Sequence, residues 1–139
     1  MSTINFWPVL VASIVSIIIG SFWYSPLMFG KMWLKELNCS EEDIAKAKAK
    51  GMSGMWKSYL GQIIASLITF YVLAYFMMTT GVQSAGHGAF VGFLAWLGFT
   101  VTTSIGSVIW EKRPTKIVLI NTFSSFVILV LGGLIIGAW

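Results

Sequence analysis

The sequence predicts an all-α integral membrane bundle of four transmembrane helices, with both termini outside and a short cytoplasmic helix between the first two spans. Three observations predict it. Hydrophobic residues make up 57% of the 139 and charged residues only 10%, where a soluble domain carries about 25% charge and needs a polar surface. Four runs free of Asp, Glu, Lys and Arg, residues 5–28, 59–78, 88–110 and 117–138, each supply the ~20 residues that cross ~30 Å of hydrocarbon as a helix. They lack the period-2 alternation of a membrane β-barrel. Finally, every basic residue falls in one of two segments: Lys31, Lys35, Lys46, Lys48, Lys50 and Lys57 between the first two runs, and Lys112, Arg113 and Lys116 between the last two. Four crossings put both segments on one side, and the positive-inside rule makes that side cytoplasmic. The chain reads as one domain, 1–139, in the cell (cytoplasmic) membrane, with 29–58 as its cytoplasmic segment.

The same charge placement excludes other classes. A net charge of +4 and a pI near 9.4 would suit a nucleic-acid binder, but topology accounts for the basic residues, so no nucleic-acid partner is expected. Cys39 is the single cysteine, which leaves no intrachain disulfide and no C-x-x-C motif. Residues 1–5 carry no basic n-region, so the first run is expected to be retained rather than cleaved.

In the first helix, Trp7 and Trp23 stand about 24 Å apart along the axis, at the two headgroup levels where half-buried indoles are favoured. Ser13, Ser16 and Gly20 form a small-residue stripe that permits close approach. Pro26 is expected to end or bend this helix, and Trp23, Tyr24 and Trp33 to anchor the inner interface. Ser40-Glu41-Glu42-Asp43 reads as a helix start, with Ser40 as cap and acids at the positive end of the dipole. Glu42 and Lys46 pair at i,i+4, and Gly51 is the expected stop. Alternating Lys and Ala make this a solvated surface helix; the alternative is a weak contact of its lysines with anionic lipid, about 1 kcal/mol each near the surface.

In the second helix Gln62, Ser66 and Thr69 share a face with Tyr59, and Tyr75 marks the outer level. The third helix carries Thr100, Thr103, Ser104, Ser107 and Glu111 on one face, with Trp110 at its inner end. Pro114 forces a turn, so the last two helices are antiparallel neighbours. The fourth offers Asn121, Ser124 and Ser125, and ends at Trp139. Ser107 and Asn121 both lie about 5–6 Å inside the cytoplasmic ends of their helices, and Gln62 lies near them. The inner half is therefore polar, and the outer half is lined by Gly, Leu, Phe and Met.

The candidate cluster at the cytoplasmic mouth is Gln62, Ser107, Glu111, Arg113 and Asn121, with Trp23 beside it. One reading is packing: interhelical hydrogen bonds average ~0.6 kcal/mol and specify contacts, Glu111 pairs with Arg113, and Asn121 satisfies backbone broken near Pro114. The other is a hydrated cavity whose hydroxyl and amide groups hold a cation or small solute. No ionisable group sits at mid-depth, and no nucleophile set, carboxylate pair or phosphate loop appears. His87 stands alone, as a surface or capping residue. No catalytic residue, metal or cofactor is expected, and the chain is read as a non-enzyme. Gly88 with Gly92, and Gly133 with Gly137, form two G-x-x-x-G pairs, which serve contacts within the chain or a homo-oligomer.

Three stretches together carry a resemblance: Gly20-Ser21-Phe22-Trp23-Tyr24-Ser25-Pro26-Leu27-Met28-Phe29-Gly30-Lys31-Met32-Trp33; Gly92-Phe93-Leu94-Ala95-Trp96-Leu97-Gly98-Phe99; and Glu111-Lys112-Arg113-Pro114 with Ile120-Asn121. With the closing Gly137-Ala138-Trp139 the chain resembles the bacterial membrane family called domain of unknown function 1761. The resemblance implies four membrane helices and no assigned activity. The expectation is a non-catalytic structural or interaction protein that self-associates in the lipid bilayer. The alternative is a small-solute or ion transporter or channel with a polar cytoplasmic-side cavity. Substrate and oligomer number are open.

Overall fold

In a computed structural model, residues 3–37 and 41–139 are described, with the side chains of all of these except residue 44 and residues 47–55. The described residues form five helices: α1 Phe6–Trp23, α2 Gly30–Glu36, α3 Glu41–Thr79, α4 Ala85–Ile109 and α5 Thr115–Ala138. Four stretches are long and apolar enough to cross a membrane: Phe6–Trp23, Trp56–Thr79, Ala85–Ile109 and Thr115–Ala138. The loops with Lys and Arg lie at one end of the bundle (the charged end). The first and last described residues lie at the other (the terminal end), where Ile4, Val82 and Trp139 line one small cleft.

Local chemistry sets the helix ends. Asn5 caps α1 by accepting from the Trp7 N–H at 3.2 Å, and Pro8 sits in the first turn, where it removes no helical hydrogen bond. Ser84 caps α4 through the His87 N–H at 3.2 Å; the cap is thus Ser84, and His87 is an exposed third residue. Gly81 takes the left-handed conformation after α3 (φ 72°), and the Val82 N–H closes back on the Met77 carbonyl at 2.9 Å, which satisfies carbonyls that the helix end leaves open.

Two expectations about helix limits need correction. α1 stops at Trp23, five residues short of the apolar run. Residues 24–29 fold into a compact turn in which the Phe29 N–H bonds the Trp23 carbonyl and the Gly30 N–H the Ser25 carbonyl, both at 3.0 Å. A side chain on Gly30 would run into the carbonyl oxygens of Tyr24 and Ser25, so the turn depends on that glycine. A short helix does lie between the first two spans, but it is α2. The helix expected to start near Ser40 and stop at Gly51 instead runs on as α3, a rod of about 58 Å at 1.5 Å per residue. Glycine within a helix costs only about 1 kcal/mol, and a segment joined to a formed span has no new nucleus to make. Ser40 and Cys39 lie outside the described residues; Glu42 and Lys46 do pair, at 4.0 Å and largely exposed.

α5 is the hub, packed against α1, α3 and above all α4. The reason is glycine. A Cβ on Gly88 would strike the Gly133 carbonyl, one on Gly133 the Gly88 carbonyl, one on Gly92 the Leu129 carbonyl, and one on Gly137 the Ser84 carbonyl. Both G-x-x-x-G pairs are therefore used inside the chain, backbone against backbone. Where α3 crosses α5, the Phe70 ring fills the space over Gly132. The core (Val9, Ala12, Phe70, Leu73, Ala74 and Met77) occupies the half nearer the termini. By contrast α3 and α4 barely meet, which leaves a seam on the lipid-facing side.

The third span is not a uniform α-helix. Trp96–Val101 winds as a π-helical turn, and the hydroxyls of Thr102, Thr103 and Ser104 bond the carbonyls of Gly98, Phe99 and Thr100 at 2.7, 2.5 and 2.7 Å. Beyond it, Thr102–Ile109 has no buried residue. The expected polar stripe of this helix is thus turned mostly onto its own backbone, and one pair crosses to α5: the Thr122 hydroxyl lies 3.0 Å from that of Ser104.

Candidate functional site

Toward the charged end α1, α3 and α5 flank an open cavity of about 450 Å³, with Ser21, Ser58, Tyr59 and Gln62 on its exposed side. Each helix contributes polar side chains: Ser16, Ser21 and Tyr24 from α1 and the turn after it; Ser58, Tyr59 and Gln62 from α3; Asn121, Ser124 and Ser125 from α5. No lining residue carries a formal charge. The floor is the serine contact of Ser16 with Ser66 at 3.4 Å, beyond which the apolar core begins. Ser16 also donates to the Ser13 carbonyl at 2.7 Å, and Gln62 Nε2 reaches Ser66 Oγ at 3.4 Å.

The wall next to α1 is held by two bonds across the bundle. Tyr24 Oη donates to Asn121 Oδ1 at 2.5 Å, and Trp23 Nε1 donates to the Ile120 carbonyl at 3.1 Å. These two aromatics owe their positions to the turn that Gly30 permits, which also brings Phe29 against Trp23 and Trp33 against Tyr24, with ring centroids 4.9 and 5.4 Å apart. Lys116 of α5 and Glu36 of α2 lie 3.6 Å apart and join the short helix to the bundle.

The expected cluster is divided by this geometry. Gln62 and Asn121 line the cavity together. Ser107 does not; its hydroxyl faces the Thr103 carbonyl at 3.3 Å, and its own carbonyl receives the Arg113 N–H at 3.3 Å. Glu111 and Arg113 pair at 2.8 Å, both more than half exposed, outside the cavity. Such exposed pairs contribute little to stability. Lys112 between them takes a left-handed conformation (φ 52°). Asn121 does not satisfy the backbone near Pro114, as expected for a hairpin lock; its amide oxygen is taken by Tyr24. Of the anchors, Trp23 turns inward to α5 and Tyr24 lines the cavity, while Trp110 is 84% exposed. A tyrosine next to a proline-containing turn reads as an interface residue, and nothing local in the sequence marks it as the partner of a residue 97 positions away.

Several polar atoms of the cavity have no protein partner among the described residues: Asn121 Nδ2, Gln62 Oε1 and the hydroxyls of Ser21, Ser58 and Tyr59. They comprise donors and acceptors, with no carboxylate, imidazole or amine among the lining residues. The set suits an uncharged group with several hydrogen-bonding atoms. Among the described residues, no three His, Cys, Asp or Glu side chains gather into a metal-binding set.

No curated protein and no solved structure matches the chain. A family model described as "Protein of unknown function (DUF1761)" matches residues 7–137.

Proposed function

Because the chain belongs to the DUF1761 family, whose description assigns no activity, we propose from its geometry that it is a non-catalytic membrane protein that binds a small uncharged, hydrogen-bonding group in the α1–α3–α5 cavity. One observation carries the reading: an open cavity of about 450 Å³ at the charged end is lined by amide and hydroxyl groups around the Tyr24–Asn121 bond. A bare charge in such a lining would lack a countercharge, and that costs several kcal/mol. The packed core beyond Ser66 supports binding over conduction. Self-association loses the feature that pointed to it, since both glycine pairs are occupied within the chain.

The test uses the purified full chain in detergent and a water-soluble short-chain glycerol monoester as probe. A saturable rise in melting temperature is expected, which choline and acetate do not reproduce. Asn121→Leu is expected to weaken binding at least tenfold, about 1.4 kcal/mol, as fits the loss of a hydrogen-bonding group. Ser107→Ala, outside the cavity, leaves it unchanged. The reading fails if the monoester gives no saturable shift, or if Asn121→Leu responds like the parent chain.

The lysine-bearing loops support a cytoplasmic setting for the mouth of the cavity. Reporter fusions after residue 45 and after Trp139 are expected to report opposite sides of the membrane; the same side for both would reverse this part of the proposal.

A further inference from the structure

Toward the charged end the contact between α4 and α5 loosens. The glycines of α4 that lie against α5 are Gly88 and Gly92; a Cβ on Gly98 or Gly106 would meet nothing within 4 Å. Past the π turn the two helices leave a groove of about 280 Å³. Val101, Ile105 and Ile109 line it from α4 at i, i+4 and i+8, and Thr115, Leu119 and Thr122 from α5 at i, i+4 and i+7, so one face of each helix forms a wall. Val118 is buried between them, whereas Ile105, Ile109 and Leu119 are 52%, 59% and 50% exposed. The hydroxyls of Ser104 and Thr122 in this groove are spent on the Thr100 and Val118 carbonyls at 2.7 and 2.6 Å, so below Thr115 it offers hydrocarbon alone.

Ile109 and Thr115, at the mouth of this groove, also bracket the turn that joins the two helices. Glu111, Lys112 and Arg113 lie in that turn and Lys116 just after it, three bases to one acid. Arg113 holds Glu111 at 2.8 Å and Lys116 lies 3.6 Å from Glu36, but Lys112 has no ion-pair partner among the described residues. Lys112 also has φ 52°, a left-handed conformation that a residue with a Cβ adopts at a cost; such outliers gather at ligand clamps. From Ile109 to Val101 the groove is about 12 Å long, against about 15 Å for one leaflet of hydrocarbon. Its whole length therefore lies in the leaflet beneath the basic turn. A partner helix would need a face across both leaflets, which this groove does not offer; one acyl chain needs no more than it has.

We infer that the α4–α5 hairpin holds one anionic phospholipid of the charged-end leaflet, with its phosphate at Lys112 and Arg113 and an acyl chain between Ile105 and Leu119. Charge complementarity selects the headgroup. Phosphatidylcholine brings its own cation to its phosphate, whereas a lipid with net negative charge neutralises the surplus cation of the turn. The groove shares no lining residue with the α1–α3–α5 cavity, so this inference stands or falls apart from the cavity reading.

The probe is phosphatidylglycerol with a diazirine in its acyl chain, photolysed with the full-length protein in phosphatidylcholine vesicles and mapped by mass spectrometry. Labelling is expected at Ile105, Ile109 and Leu119, removed by excess unlabelled phosphatidylglycerol and not by sodium phosphate. Lys112→Gly removes the unpaired cation and places at positive φ the residue best suited to it. Labelling is expected to fall about fivefold, the effect of one cation at the surface, while the melting temperature in detergent stays level or rises. Leu119→Trp fills the groove at an exposed position and is expected to reduce labelling at Ile105 and Ile109 by a similar factor. Labels spread evenly over the lipid-facing helices, or labelling unchanged in Lys112→Gly, would overturn the inference. So would crosslinks showing a second copy of the chain in the groove. Competition by sodium phosphate as strong as by the lipid would reassign the turn to a water-borne anion and refute the acyl-chain groove.

Discussion

Gly133→Leu is expected to break the α4–α5 pair, lowering stability by roughly 3 kcal/mol or more and releasing much of the protein into aggregated or protease-sensitive forms. Lipid tails are as apolar as leucine, so nothing squeezes two membrane helices together; close backbone contact must do it. At Gly133 that contact is the Gly88 backbone itself, which has no rotamer with which to yield. A leucine there must push the helix axes apart, and the parallel contacts of Gly92 with Leu129 and of Gly137 with Ser84 open with it. Thermal unfolding in detergent measures the loss. Gly106→Leu is the matched control, because a Cβ there meets nothing within 4 Å, and it is expected to unfold like the parent chain. Equal behaviour of the two variants would show that the glycine contact does not hold the hairpin.

Phe70→Ala is expected to cost about 3 kcal/mol, the lower end of the range for buried phenylalanine. Part of that range comes from transfer out of water, which is absent when the alternative surroundings are lipid. What is left is the lost contact of a ring that is 1% exposed and packed over Gly132 at the crossing of α3 and α5. The pair also makes a coupling prediction. Gly132→Ala alone drives a methyl into the ring, whereas in the Phe70→Leu background the space is free. The double variant is expected to be more stable than the sum of the two single losses by about 1 kcal/mol, within the usual range for residues in contact. Simple additivity would mean that the two residues do not share the space.

Some of the site was legible in the chain. Gln62 and Asn121 could be placed at one depth by counting residues from the helix ends, and both line the cavity. The polar inner half and apolar outer half follow from the same count. Tyr24 was legible only as an interface aromatic, since its role depends on a turn closed by Gly30. Ser107 and its neighbours misled because a stripe at helical spacing marks a shared face but not what the face meets. Three hydroxyls of this helix are occupied by carbonyls in and beside the π turn, and hydroxyl groups have that option wherever no partner helix approaches.

By itself the sequence determined that this chain lives in a bilayer as four helices with its charged loops together. That follows from the number of consecutive uncharged residues and the position of each lysine, which are properties of segments, whatever those segments touch. Tertiary structure alone decided which helices touch. It set Gly88 and Gly92 against α5 rather than a second chain, drew Tyr24 to Asn121, ran α3 through Gly51, and left the α3–α4 seam open. Each of these depends on the distance between residues far apart in the chain, and in a membrane no difference in hydrophobicity along the sequence reports that distance.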